Sequence, residues 1–338
     1  MDIAQKRGTT LNVAFKAALF VLPFVFVLIS LFFGRYPLPI KEVLSALIRP
    51  QSVSDASRIA VWRLRLPRAL AAAFVGASLS VSGAAFQSIF RNPLVNSGIL
   101  GVSNGAGFGA CVAIVCLGGG VFTYILSFIF ALAAVILSYF AGRIARVTTA
   151  ITMILGGTIV GAFFSALVSV MKYIADPYSQ LPGITFWFMG SFASVGYSQL
   201  LALIPMSMGM LLIFLSRWRL NVLSMGDREA ASLGLDVRLC RAFIIGGASL
   251  CTAAAVCISG TIGWVGLVIP HIGRMMIGNN NQKLIPVSIS LGACFMVFID
   301  LLSRTLTGAE IPVGILCALI GTPFFVYLLK KTKGGGWK

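Results

Sequence analysis

Apolar runs near 20 residues long recur from Val13 to Leu329, and nothing else in the sequence constrains the fold as tightly. A helix crosses the hydrocarbon core of a bilayer in about 20 residues. A barrel strand needs only about 10, with alternating polarity. These runs are continuous, so they predict helices. Only 10% of the residues are charged and 58% are hydrophobic, whereas soluble domains carry about a quarter charged residues. The chain therefore reads as an all-α integral membrane protein, one transmembrane domain over residues 1–338 with roughly ten spans.

The charges are few but lopsided, 26 Lys and Arg against 9 Asp and Glu, a net +17. In a soluble protein that balance would suggest nucleic acid. Here the charges lie in short inter-span loops, where positive-inside bias and anionic headgroups account for them, so membrane lipid is the expected contact and nucleic acid is not. Lys6, Arg7, Arg143, Arg146, Arg217, Arg219 and Lys330 to Lys333 mark the inner side. An even number of spans puts both termini there, and the first apolar run is long enough to remain as a span. One loop goes against the bias. Between Gly34 and Arg68 lie Arg35, Lys41, Arg49, Arg58, Arg63, Arg65 and Arg68 against Glu42 and Asp55, on the outer side. An acidic soluble partner docking from outside would explain them, since complementary charge sets orientation and on-rate. Short interfacial helices are expected over Ile40 to Ile48 in this loop and within Ala175 to Tyr197, where Phe186, Trp187 and Phe188 suit the membrane surface.

One polar island interrupts the apolar chain on the inner side, within about residues 220–241. From Ser224 to Arg241 it reads Ser-Met-Gly-Asp-Arg-Glu-Ala-Ala-Ser-Leu-Gly-Leu-Asp-Val-Arg-Leu-Cys-Arg. Ser224 three residues before Asp227 predicts a capping box, and Asp227 and Glu229 favour a helix start through the macrodipole. Gly234 suits the left-handed closing residue. The predicted helix of about two to three turns is too short to stand alone in water, so it needs a surface to dock on.

Other features call for structural readings. Most of the seven cysteines (Cys111, Cys116, Cys251, Cys257, Cys294 and Cys317) fall in apolar stretches without ligand-like spacing, and read as small buried hydrophobes. The single His271 cannot build a metal site, and an inter-helix hydrogen bond is its expected role. Asp300 is the one acid well inside an apolar run, with Arg304 one turn on, which predicts a local i,i+4 pair. Glycines such as Gly76, Gly83, Gly105, Gly260, Gly263 and Gly266 are expected where spans pack closely. No Gly-x-x-x-x-Gly-Lys-Ser/Thr loop occurs, so the chain does not bind ATP by that means. A gradient-driven carrier would need buried carboxylates near the midplane, and an intramembrane enzyme would need a catalytic set; neither is evident.

Four blocks in order carry a family resemblance: Arg65-Leu-Pro-Arg through Gly83, with Gln87, Arg91-Asn-Pro-Leu94 and Leu100-Gly-Val-Ser-Asn-Gly-Ala-Gly107; Gly226-Asp-Arg-Glu-Ala-Ala-Ser-Leu-Gly234; Gly260-Thr-Ile-Gly-Trp-Val-Gly through Ile-Pro-His-Ile-Gly-Arg274; and Asp300, Arg304, Glu310-Ile-Pro-Val-Gly314 and Gly321-Thr-Pro-Phe324. Together they resemble the permease subunits of ABC importers for ferric siderophores, haem and cobalamin, the cobalamin permeases among them. The resemblance implies a type II importer permease fold in a bacterial or archaeal cytoplasmic membrane, paired with a second copy, two ATP-binding subunits inside and a substrate-binding protein outside. ATP and magnesium would be held by the partner subunits, with no metal or other cofactor in this chain. By the same resemblance Asp227, Arg228, Glu229, Ala230, Ala231, Leu233 and Gly234 form the element coupled to the ATPase. Asn92, Pro93, Leu94, Thr148 and Thr149 match the cytoplasmic gate, and Arg65, Arg68 and Arg304 match positions that pair with acids of the binding protein. The chain departs from the family at Asn96-Ser97, where an acid followed by Pro is usual, which predicts a less rigid loop. The cargo stays open among the metal chelates, with an oxyanion such as molybdate as the alternative.

Overall fold

A computed structural model describes residues 13–143 and 150–331. Ten helices form the bundle, and each falls on one of the apolar runs. They are α1 (Val13–Phe32), α4 (Leu66–Ile89), α5 (Val102–Leu117), α6 (Val121–Arg143), α7 (Ala150–Ile174), α9 (Leu203–Leu215), α12 (Val237–Ser259), α13 (Val265–Ile277), α14 (Asn281–Thr305) and α15 (Val313–Lys331). Between them lie the shorter α2 (Ile40–Ile48), α3 (Asp55–Arg58), α8 (Gln180–Met189), α10 (Arg217–Met225) and α11 (Asp227–Ser232). Six helical stretches are long and apolar enough to cross a membrane by length and composition. The rest are shorter apolar helices: α13, at 13 residues, spans only about 20 Å. It follows a non-helical segment from Gly260 to Trp264, both of which have positive φ, a discontinuity tolerated where backbone is enclosed by protein or lines a cavity.

α4 is the centre of the bundle, buried on nearly every face and packed on α14, α12, α13 and α9. Its sequence explains the position. Ala, Ser and Gly fill it, and lipid offers no hydrophobic drive for helices to associate, so close backbone approach must do so. A Cβ on Gly83 would fall on the Gly266 carbonyl of α13, and one on Gly76 on the Gly292 carbonyl of α14. Between α4 and α12, Ser82 donates to the Ala248 carbonyl at 2.9 Å and meets the Thr252 hydroxyl at 2.7 Å. Gly263, by contrast, has open space around it.

Two expectations change. The helix leading into α4 starts well before Arg65: α3 continues through a wide π-type turn over Ile59–Arg65. The wider turn accommodates Pro67, which has no N–H to offer the preceding turn. Cys116 is exposed near the end of α5, although the other cysteines among the described residues are buried.

The described chain begins and ends at one end of the bundle, here the near end, with the turns after α4 and α13 and the α10–α11 island. The far end carries α2, α3, α8 and the loop between α14 and α15.

Candidate functional site

At the near end, α11 is six residues long, shorter than expected. Ser224 does not cap it. Its hydroxyl donates to the Asn221 carbonyl at 2.6 Å, closing α10, and the residue before α11 is Gly226 at φ 142°. A Cβ there would collide with the Glu229 carboxylate, which folds back over the helix start. The far side of the element closes as the sequence predicts. Gly234 is left-handed at φ 79°, its amide reaches the Ala231 carbonyl at 2.9 Å, and Leu235 reaches Ala230 at 3.1 Å, a Schellman closure.

Two contacts pin α11 to the bundle. Ala230 is fully buried in the near-end core with Leu220, Leu223 and Cys240, and Asp227 pairs with Arg241 of α12 at 2.6 Å. Ala230 is thus an anchor to the bundle. Arg228, Glu229, Ala231, Leu233 and Gly234 are exposed, and Leu233 leaves 60% of its surface uncovered. An apolar tip amid charge, on a short helix braced from behind, is a docking shape.

Beside it, residues 90–101 form an irregular turn between α4 and α5. The Asn92 side chain accepts from the Leu94 amide at 2.9 Å, and Asn96 from Gly98 at 3.0 Å. Gln87 ties the turn inward by donating to the carbonyls of Val95 and Gly266, at 3.0 and 3.2 Å. Asn96 thus supplies a local bond of its own in place of the family's acid. Asn92 and Pro93 are half-buried and Leu94 is exposed. Thr148 and Thr149 lie outside the described residues.

At the far end the three predicted docking arginines come together, but facing inward. Arg68 pairs with Asp300 at 2.8 Å and with Glu310 at 2.9 Å, and Arg304 lies 3.4 Å from Asp300. The expected i,i+4 pair is therefore the weaker half of a network that joins α4 and α14 to the following loop. Arg304 also donates to the Ser30 carbonyl at 3.0 Å and Arg65 to Leu31 at 2.7 Å, so both arginines cap the last turn of α1, whose carbonyls lack helical partners. All three side chains are buried. In this chain their hydrogen bonds and ion pairs are all made internally. In the loop between α1 and α4, the exposed basic residues are Arg35, Lys41, Arg49, Arg58 and Arg63.

A feature missed in the sequence runs along α7. Thr158, Ala162, Ser165, Ser169 and Lys172 recur at helical spacing and are all exposed, beside an apolar stripe of Ile151, Leu155, Ile159 and Phe163. Thr158 and Ser169 donate back to carbonyls one turn earlier, at 3.0 Å each, and Lys172 lies over the Phe188 ring of α8. The mean hydropathy of the run conceals this stripe; its period of three and four was the available signal. Among the described residues, no group of three or more His, Cys, Asp or Glu could hold a metal.

The model of the FecCD transport family matches residues 21–331. A molybdate import permease of Haemophilus influenzae is 40% identical over 314 residues, covering 91% of this chain and 93% of its own. A probable iron chelatin permease of Helicobacter pylori is 37% identical, covering 92% and 96%, and a vitamin B12 import permease of Klebsiella pneumoniae is 34% identical, covering 92% of each. A solved structure described as a metal-chelate type ABC transporter in an inward-facing conformation superposes with a TM-score of 0.83 at 38% identity, over 94% of this chain and 99% of that one.

Proposed function

The chain belongs to the FecCD transport family, and we propose that it works as the membrane subunit of an ABC importer, a homodimer that passes a metal chelate inward while two separate subunits hydrolyse ATP. The near end faces the cytoplasm in this reading, with both termini there. The observation that carries it is α11: fixed to the bundle through Ala230 and the Asp227–Arg241 pair, it presents Arg228, Glu229 and Leu233 outward. A rigid attachment with an exposed tip can transmit displacement from an ATPase to α10 and α12. The exposed Thr158 to Lys172 stripe supports a water-accessible path between two copies, since such groups are costly against lipid. A substrate-binding protein would deliver cargo to the far end, guided by the exposed cations from Arg35 to Arg63.

Ferric siderophore, haem or cobalamin is the cargo class we favour. The 40% identity to a molybdate permease supports an oxyanion as the second reading. The test of the first reading is co-purification. The ATP-binding subunits should accompany the wild-type chain and be lost from Leu233→Glu and Glu229→Arg variants that still fold. Retention by both would overturn the coupling role. Uptake of a ferric chelate and of molybdate, measured in the same reconstituted vesicles, separates the cargoes.

A further inference from the structure

A cleft at the near end, about 260 Å³ in volume, lies between the end of α4, the end of α10 and the turn joining α13 to α14. Its lining includes Arg91, Arg274, Asn92, Ser224, Asn279 and Asn281, with no carboxylate. The two guanidinium groups come from different elements. Arg274 is steadied by the side-chain oxygen of Gln87, which accepts its hydrogen bond, and Gln87 is itself fixed by the Val95 and Gly266 carbonyls. Asn281 is buried, and its side-chain oxygen accepts from Ser88 at 2.8 Å. The positive end of α14 points here too, although its first amides are already taken by Asn221 and Asn280. Side chains would therefore hold a ligand.

Arg91 is the informative residue. It closes α4 in a Schellman motif: its amide reaches Ser88 and the Asn92 amide reaches Gln87 at 3.1 Å. That closure puts Arg91 at φ 48°, a left-handed backbone that glycine adopts without strain. The chain uses glycine at the equivalent position of α11, Gly234. An arginine held there against its backbone preference points to a use for the side chain. Arg91 is exposed, and among the described residues no carboxylate pairs with it. The two acids that share a neighbouring cleft with Arg91 are committed elsewhere: Asp227 to Arg241, and Glu229 over Gly226.

We propose that this cleft binds a tetrahedral oxyanion of the phosphate class, gripped by Arg91 and Arg274 and completed by side-chain amide donors from Asn92 and Asn279. Forked guanidinium donors suit such oxygens. The phosphate could belong to a phospholipid headgroup or to a free ion; both present the same oxygens.

The test uses the full-length chain, its Arg91→Gly variant, which the backbone welcomes, and Asn279→Asp, which adds a repelling charge. Inorganic phosphate is titrated in neutral detergent against chloride at matched ionic strength. In parallel, nanodiscs of phosphatidylglycerol are compared with nanodiscs of phosphatidylcholine, with the thermal midpoint as the readout. A saturable rise with phosphate in detergent identifies a free-ion site. A rise only in phosphatidylglycerol identifies a headgroup site. In either case both variants should bind about ten-fold more weakly or worse, while Arg91→Gly without ligand unfolds no earlier than wild type. No rise with either probe, or an undiminished rise in both variants, overturns the proposal.

Discussion

The far-end network makes a quantitative prediction. Asp300→Asn preserves shape but removes the one carboxylate that faces both Arg68, at 2.8 Å, and Arg304, at 3.4 Å. Asp300 is fully buried, and Arg68 and Arg304 are 8% and 4% exposed. Removing one partner of a buried pair costs about 3–5 kcal/mol, mainly because the remaining charge is left in a medium that solvates it poorly. The low end applies here. Arg68 keeps both oxygens of Glu310, and Arg304 keeps the Ser30 carbonyl. The Asn amide would also turn a donor toward one guanidinium. A loss of about 3 kcal/mol corresponds to roughly 4 °C for a chain of this length. Membrane proteins often unfold irreversibly, so the midpoint must be compared at one scan rate. Glu310→Gln is the internal control, because Glu310 is partly solvated, with 19% of its side chain exposed. It should shift the midpoint by less than half as much. A shift for Asp300→Asn no larger than for Glu310→Gln would refute the claim that Asp300 is the keystone of the network.

Gly226→Ala should strain φ 142° and drive a methyl into the Glu229 carboxylate, costing about 1–3 kcal/mol locally; ATPase binding should fall while the global midpoint moves little, which a pull-down beside a melt would check. Charge reversal at Arg58 and Arg63 should slow association of the binding protein at low salt and have little effect at high salt, measured by stopped flow or surface binding. Arg304→Glu should instead lower the yield of folded protein, since its charge is used internally. At the far end, the Ser179 hydroxyl and then its amide hold Asp176 below the usual carboxylate range. Because the folded value is the lower one, this support is complete above the unfolded pKa and is lost as pH falls through the depressed value. Asp176→Asn should remove that acid-side change in Ser179 amide exchange.

Much of this was legible from the residues, and the exceptions have identifiable causes. Ten apolar runs became ten helices because apolar length alone decides the outcome in lipid. Gly234 and the Ile40–Ile48 helix followed from local rules. Ser224 did not, because its hydroxyl had a competing carbonyl at Asn221, and a serine can close one helix as readily as cap the next. Arg65, Arg68 and Arg304 looked like surface charge because their partners lie far off in sequence: Asp300 and Glu310 for Arg68, and α1 carbonyls for the others. Ala230 turned inward for a similar reason. A six-residue helix has too few residues to display a period, so only tertiary packing reveals its buried face. The α7 stripe was encoded in plain spacing but masked by the surrounding hydrophobicity.

The most direct test of the whole account is uptake by the chain reconstituted with its ATP-binding subunits and binding protein. Entry of a ferric chelate or molybdate should require ATP, continue when the proton gradient is collapsed, and stop when Leu233 is changed to Glu. Uptake that follows the gradient and ignores both ATP and Leu233→Glu would contradict it.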